Sequence, residues 1–205
     1  MPKRSIPEVN AGSMADIAFL LLIFFLVTTT IEQDNGIVRK LPPKEEVPPD
    51  EQVKIKQKNI FTVVVDKNGQ MLVEDDLLEM KDLRKAAVAF IDNVGGVDKD
   101  GNKCDYCKGE KDPASSDHPS KAIIALRNDR QTKYEVYVAI QNELGAAYTE
   151  LRNREALRLY NESYESMNSK FKDANFKGDK DDLDEKIKNL KKMYPQIISE
   201  AEPKK

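Results

Sequence analysis

The apolar run IAFLLLIFFLV, from Ile17 to Val27, constrains this chain more than any other feature. No polar side chain interrupts it, and Asp16 stands directly before it. The stretch from Ala11 to Ile31 carries that single charge. As an α-helix it would reach about 31 Å at ~1.5 Å per residue, close to the ~30 Å hydrocarbon core of a bilayer. The expectation is a single N-terminal transmembrane α-helix over residues 13–31. Before it, residues 1–12 form a short basic head with Lys3 and Arg4; after it, Glu32 and Asp34 come first. The positive-inside bias then puts the N-terminus in the cytoplasm and the bulk of the chain across the membrane. A cleaved signal peptide is the competing reading, since a basic start and a short apolar core fit it too. The Thr28-Thr29-Thr30 end lacks a small-x-small cleavage pattern, and an acid at the front of the core is unusual in a signal.

The remainder has a water-soluble composition. Across all 205 residues, 34% are charged and the formal net charge is −3. No basic surplus exists to neutralise phosphates, which argues against a nucleic-acid partner.

Asp16 raises the question of what a carboxylate does at the head of an oily segment. One reading is an interfacial acid that reaches water, or that sits near a helix N-terminus where negative charge is favoured. The other is a proton carrier. Desolvation disfavours the charged form of a carboxylate, so a buried acid without a fixed cation can take up a proton on one side and release it on the other. No Lys, Arg or His lies within the run to neutralise it. On a helix, Asp16 shares a face with Leu20, Ile23 and Val27. One helix cannot cover that face alone, so the pattern asks for a helical partner.

The stretch IPEVNAGSMADIAFLLLIFFLV resembles the signature of the ExbD/TolR family of biopolymer transport proteins. The residues that carry the resemblance are the pair Val9-Asn10, then Asp16, then the run Leu20–Val27, with Leu41-Pro42 matching a Leu-Pro shortly after the apolar helix. The spacer departs from the family's common Thr-Pro-Phe: here it is Ala11, Gly12, Ser13, Met14 and Ala15, without a Pro. The resemblance is strong over residues 5–43, weaker over 59–150, and fades beyond.

It implies an accessory subunit of a proton-motive-force-driven inner-membrane motor. In such a motor Asp16 is the protonatable residue and protons are the coupling ion, with no other cofactor. It further implies a homodimer inside a ring of a multi-span ExbB/TolQ-like partner, energising a TonB-like protein that crosses the periplasm. A TolR-like envelope-integrity subunit contacting peptidoglycan is the sister reading. A membrane-anchored periplasmic binding or structural domain, with no proton role, is the reading from another class.

Residues 32–58 hold Pro42, Pro43, Pro48 and Pro49 amid Lys and Glu, and read as an extended periplasmic linker. The pattern then predicts a small periplasmic α/β (α+β) domain over 59–160 with a long C-terminal helix. Ile60–Val65 is β-branched and reads as a strand. Asn68-Gly69 is a hairpin signal, and Met71–Val73 is the return strand. A helix is expected over Met80–Asn93, with Leu83, Ala87, Phe90 and Ile91 on its apolar face and Gly95-Gly96 as its stop. Lys121–Leu126 reads as a second core strand. Thr132 and Glu135 match a capping box opening a long helix, whose apolar face is Tyr137, Ile140, Leu144, Ala147, Tyr148 and Leu151. Gly145 within it suggests close packing. The helix is expected to run on through ELRNREALRLYNES. Residues 161–205 read as a charged helical extension, solvated or tail-like over 166–192, with Gln196–Ser199 as a late strand candidate.

A polar loop over 95–120 is an insertion relative to the family pattern. It contains Cys104-Asp-Tyr-Cys107 and the only histidine, His118. A disulfide is expected if the region faces an oxidising compartment. A metal site from Cys104, Cys107 and His118 needs a fourth ligand and rests on one CxxC; free thiols are the third reading. The acidic pairs Asp75-Asp76 and Asp181-Asp182 read as solvated turns. With no Gly-rich phosphate loop and no HExxH motif, an enzyme is not expected.

Overall fold

The computed structural model describes residues 11–28 and 56–200. Residues 1–10 and 29–55, which hold Val9-Asn10, Leu41-Pro42 and most of the expected linker, lie outside them. The chain divides into two units, Met1–Gln52 and Val53–Lys205.

The first unit contributes one described element, α1 (Ala11–Thr28). Here the expectation of a transmembrane span is overturned: no helix among the described residues is long and apolar enough to cross a membrane. The expectation counted as far as Ile31, whereas α1 has 18 residues and its last is the β-branched Thr28. At ~1.5 Å per residue its described length is about 27 Å, against the ~31 Å counted from the sequence as far as Ile31.

The second unit is a mixed α/β domain. Its sheet contains β1 (Ile60–Val65), β2 (Met71–Val73), β3 (Asp76–Leu78), β4 (Ile123–Asn128) and β5 (Ile198–Glu200), in the order β3-β2-β1-β4-β5. β1 pairs antiparallel with β2 and parallel with β4; β5 joins β4 in parallel at the edge. Its helices are α2 (Met80–Asp92), α3 (Tyr134–Tyr160), α4 (Tyr164–Lys172) and α5 (Lys180–Met193).

Strand alternation decides which face is covered. Phe61, Val63 and Val65 of β1 are buried with Met71, Val73, Ile124 and Leu126 against Leu83, Ala87 and Ile91 of α2 and Ile140, Leu144, Ala147 and Leu151 of α3. The opposite face leaves Val64 and Leu72 each 38% exposed. Period-2 strands and period-3.6 helices thus supply one apolar layer each, as their patterns predict.

Local chemistry explains the differences from expectation. Between β1 and β2 only Gly69 adopts positive φ, at 83°, so the turn is not the type I′ that Asn-Gly favours. Asp66 builds it instead, its Oδ1 accepting from the Asn68 and Gln70 amides at 2.8 Å. The tight two-residue turn falls one connection later, at Glu74 and Asp75, both with positive φ. Asp76 therefore begins β3 rather than extending a solvated turn.

The capping box at Thr132 does not form. Its hydroxyl donates to the Asp66 carbonyl at 3.0 Å, and α3 starts after Lys133 without a side-chain cap. α2 ends at Asp92 with an extended Asn93, before the two glycines are reached. Gly145 packs closely against nothing: a Cβ there would meet open space.

The long helix is not the C-terminal element. α3 stops at Asn161, in the left-handed conformation typical of a helix end. Ser163 then caps α4, and Asp179 caps α5 by accepting from the Asp181 and Asp182 amides at 2.9 and 3.1 Å. Met167, Leu183, Ile187 and Leu190 gather with Ala156 and Tyr164 into a second small core. The charged residues of 166–192 coat a folded pair of helices, because four apolar side chains at helical spacing suffice to seat them on α3.

Candidate functional site

Two places in the chain carry polar chemistry against an apolar background. The first is Asp16 on α1. It lies in the second turn, beyond the first-turn positions where a carboxylate gains from unpaired N–H groups and the helix dipole. Helix geometry places it on one face with Leu20 and Ile23; Val27, expected on the same face, has its side chain outside the described ones. Leu20 is 58% and Ile23 41% exposed. Phe19, Leu22, Phe24 and Phe25 are also exposed, so among the described residues apolar side chains stand on every side of the helix. A helix apolar all round is one that other apolar groups must enclose.

The second place is the loop 95–120 with its surroundings. Cys104 and Cys107 are joined by a disulfide. With both sulfurs bonded to each other, neither is a free thiolate. No group of three or more His, Cys, Asp or Glu stands close enough to hold a metal ion among the described residues. His118 turns its Nδ1 to the Ser120 hydroxyl at 2.8 Å, and its ring meets Tyr106 edge-on. Burial holds its pKa below the ordinary imidazole value, Lys121 pushes the same way, and Asp98 opposes them in part.

Sequence reasoning missed the polar hub beneath this loop. Asp92, at the end of α2, receives both Arg154 terminal nitrogens at 2.7 and 2.8 Å and the Tyr194 hydroxyl at 2.8 Å. The Lys108 amide adds a further bond to it at 3.1 Å. Arg154 also donates to Glu155, which is fully buried and receives Arg158 at 2.6 Å. Arg152, itself buried, donates to the Tyr194 carbonyl at 3.1 and 2.7 Å and lies over the rings of Tyr148 and Tyr164. Burial raises the Tyr194 hydroxyl pKa, and the Asp92 charge adds to it; burial likewise pushes Tyr106 up to about 12. The bonds to Asp92 hold Arg154 firmly protonated.

A third buried group fixes the loop at its other end. Asp117 accepts from Asn59 and pairs with Lys58 at 2.5 Å and Lys56 at 3.3 Å. Burial works to raise its pKa, but Lys58, Asn59 and Lys56 together bring it below the usual carboxylate value. Lys56 and the 3-10 turn over Gln57–Asn59, which read in the sequence as linker, are thereby tied to the folded unit. The signal for this hub was faint: single charges at Asp92, Arg152 and Glu155 interrupt otherwise apolar helical faces.

Among the described residues, none of these clusters pairs a nucleophile with an oriented base. Comparisons with known proteins bear on the chain as a whole. A search of curated proteins returns no match. The family model for biopolymer transport protein ExbD/TolR matches residues 2–154, which takes in α1 with Asp16 and the domain as far as the last third of α3. The rest of α3, α4, α5 and β5 lie beyond the match, although β5 completes the sheet. The members of that family are accessory proteins of biopolymer transport, typically associated with the inner membrane and partnered in general by ExbB/TolQ-type and TonB/Pal-type proteins, and a match over this much of the sequence settles the affiliation: the chain belongs to the ExbD/TolR family.

Proposed function

We propose that the chain is the accessory subunit of a proton-motive-force-driven motor of the ExbB–ExbD type, energising a TonB-like protein for outer-membrane transport. The observation that carries this reading is a lone carboxylate in the second turn of a helix that is otherwise apolar and exposed on its described sides. Such a helix needs an enclosing partner. A multi-span ring of helices supplies one. Once enclosed, Asp16 loses water and its charged form becomes costly, so proton uptake and release change how the helix sits in the ring. Moving one charge through the membrane potential is worth ~2.3 kcal/mol per 100 mV, enough to bias a two-state packing. Two copies in one ring would let the acids alternate.

The disulfide is in keeping with the folded unit working in an oxidising compartment such as the periplasm. The experiment is energy-dependent uptake in cells carrying Asp16→Asn, with protein level and co-purification with the ring checked in parallel. Loss of uptake with the complex intact supports the motor reading. Undiminished uptake overturns it and leaves a binding or structural domain with no proton role.

A further inference from the structure

We infer that the Cys104–Cys107 disulfide is a site of thiol–disulfide exchange whose oxidised form holds the C-terminal strand on the sheet. The ring it closes spans two intervening residues, so little chain entropy is removed from the unfolded state. Its consequence is local. It constrains Tyr106, which lies between the two cysteines. The Tyr106 hydroxyl donates to the Met193 carbonyl at 2.9 Å, and its ring stands edge-on to Tyr194, with centroids 5.4 Å apart. The Lys108 and Gly109 amides continue the attachment onto Asp92.

Met193 ends α5 and Tyr194 caps it, with three residues between Tyr194 and the start of β5 at Ile198. That strand has only three residues and pairs on one side, with β4, so it sits at the sheet edge with few bonds of its own. The Ile197 carbonyl receives the Ile124 amide at 2.9 Å, and Glu200 receives the Tyr137 hydroxyl at 2.7 Å. The approach to β5 is fixed by the Arg152 and Asp92 bonds to Tyr194 together with the Tyr106 contacts to Met193 and Tyr194, and of these only the Tyr106 contacts depend on the disulfide. Both cysteines are only half-buried, within reach of a thiolate.

The chemistry is balanced with a dithiol reductant. Its thiolate attacks one Sγ, the Sγ–Sγ bond breaks, and the other cysteine leaves as a thiolate that takes up a proton. The reductant's second thiol then attacks the mixed disulfide, freeing the second cysteine as a thiol and leaving the reductant as a disulfide. Two electrons and two protons reach the pair. Without the short ring, residues 104–108 gain backbone freedom, Tyr106 leaves Met193, and β5 opens more often.

The test is amide hydrogen exchange on the full-length chain, oxidised and after treatment with dithiothreitol. Reduction is expected to speed exchange at residues 194–200 by about tenfold while β1 stays unchanged, because local opening is set by local contacts. The double variant Cys104→Ser, Cys107→Ser should show the fast pattern without reductant and ignore dithiothreitol. Tyr106→Phe, which keeps the disulfide and loses the bond to Met193, should fall between the two. Unchanged exchange at 194–200 on reduction, or a uniform rise across the whole sheet, overturns the inference.

Discussion

Arg154, in the last third of α3, grips Asp92, the last residue of α2, with two hydrogen bonds of 2.7 and 2.8 Å. The Tyr194 hydroxyl closes the third side of the same carboxylate. Three segments far apart in sequence thereby meet at one buried acid. Arg154→Met removes the cation but leaves Asp92 buried and charged. Breaking a buried pair from one side costs about 3–5 kcal/mol. Urea unfolding should show a loss in that range, and the double variant Asp92→Leu, Arg154→Met should recover part of it.

Two glycines separate close approach from open space. A Cβ at Gly109 would lie 2.5 Å from the Asp92 carbonyl oxygen and 2.8 Å from the Asn93 amide nitrogen, both backbone atoms that cannot swing away. Gly109→Ala should destabilise by about 1–3 kcal/mol. A Cβ at Gly145 meets nothing within 4 Å, and the site is inside a helix. Gly145→Ala should stabilise by about 0.5–1 kcal/mol. Thermal unfolding of the two variants should move in opposite directions.

Acid should weaken the folded unit in two stages. The pKa of His118 is lowered from 6.5, chiefly by burial. A base whose folded pKa is depressed contributes stability above the unfolded value, and that stability is lost as pH falls through the folded one. The first loss therefore begins below about pH 6.5. Asp117, lowered from 3.8 because its partners outweigh burial, obeys the same sign in a lower window. Melting temperatures measured from pH 8 to 3 should fall in both windows. His118→Gln should flatten the upper one and Asp117→Asn the lower.

The sheet's two faces should respond unequally to substitution. Leu83 of α2 is fully buried against the covered face, whereas Val64 of β1 is 38% exposed on the opposite face. Leu83→Ala should cost about 2–5 kcal/mol, and Val64→Thr less than about 0.5 kcal/mol. Equal losses in chemical denaturation would mean that both faces are covered.

Much of this architecture follows from periodicity. Ile60–Val65, Met71–Val73 and the apolar faces of α2 and α3 are legible because alternation and helical spacing are local signals. Asp76–Leu78 was not, since a three-residue edge strand offers no alternation to read. α4 and α5 read as solvated because lysines and aspartates outnumber the few side chains that face inward. Thr132 misled for a physical reason: its hydroxyl had a distant competitor in the Asp66 carbonyl. The Asp92–Arg154–Tyr194 hub was out of reach altogether, because its members are 62 and 102 residues apart and no local pattern links them. Asp16 is the reverse case. Its oddness is entirely local, one acid against an oily run, and that is why the candidate site could be named before any fold was known.

The central claim is that Asp16 carries protons, and proton flux tests it most directly. The full-length chain would be reconstituted with its ring partner in lipid vesicles and an imposed pH gradient followed with a pH-sensitive dye. The account predicts flux with the native chain, and near-background flux with Asp16→Asn in a complex that still co-purifies. Equal flux from the Asp16→Asn complex would contradict it.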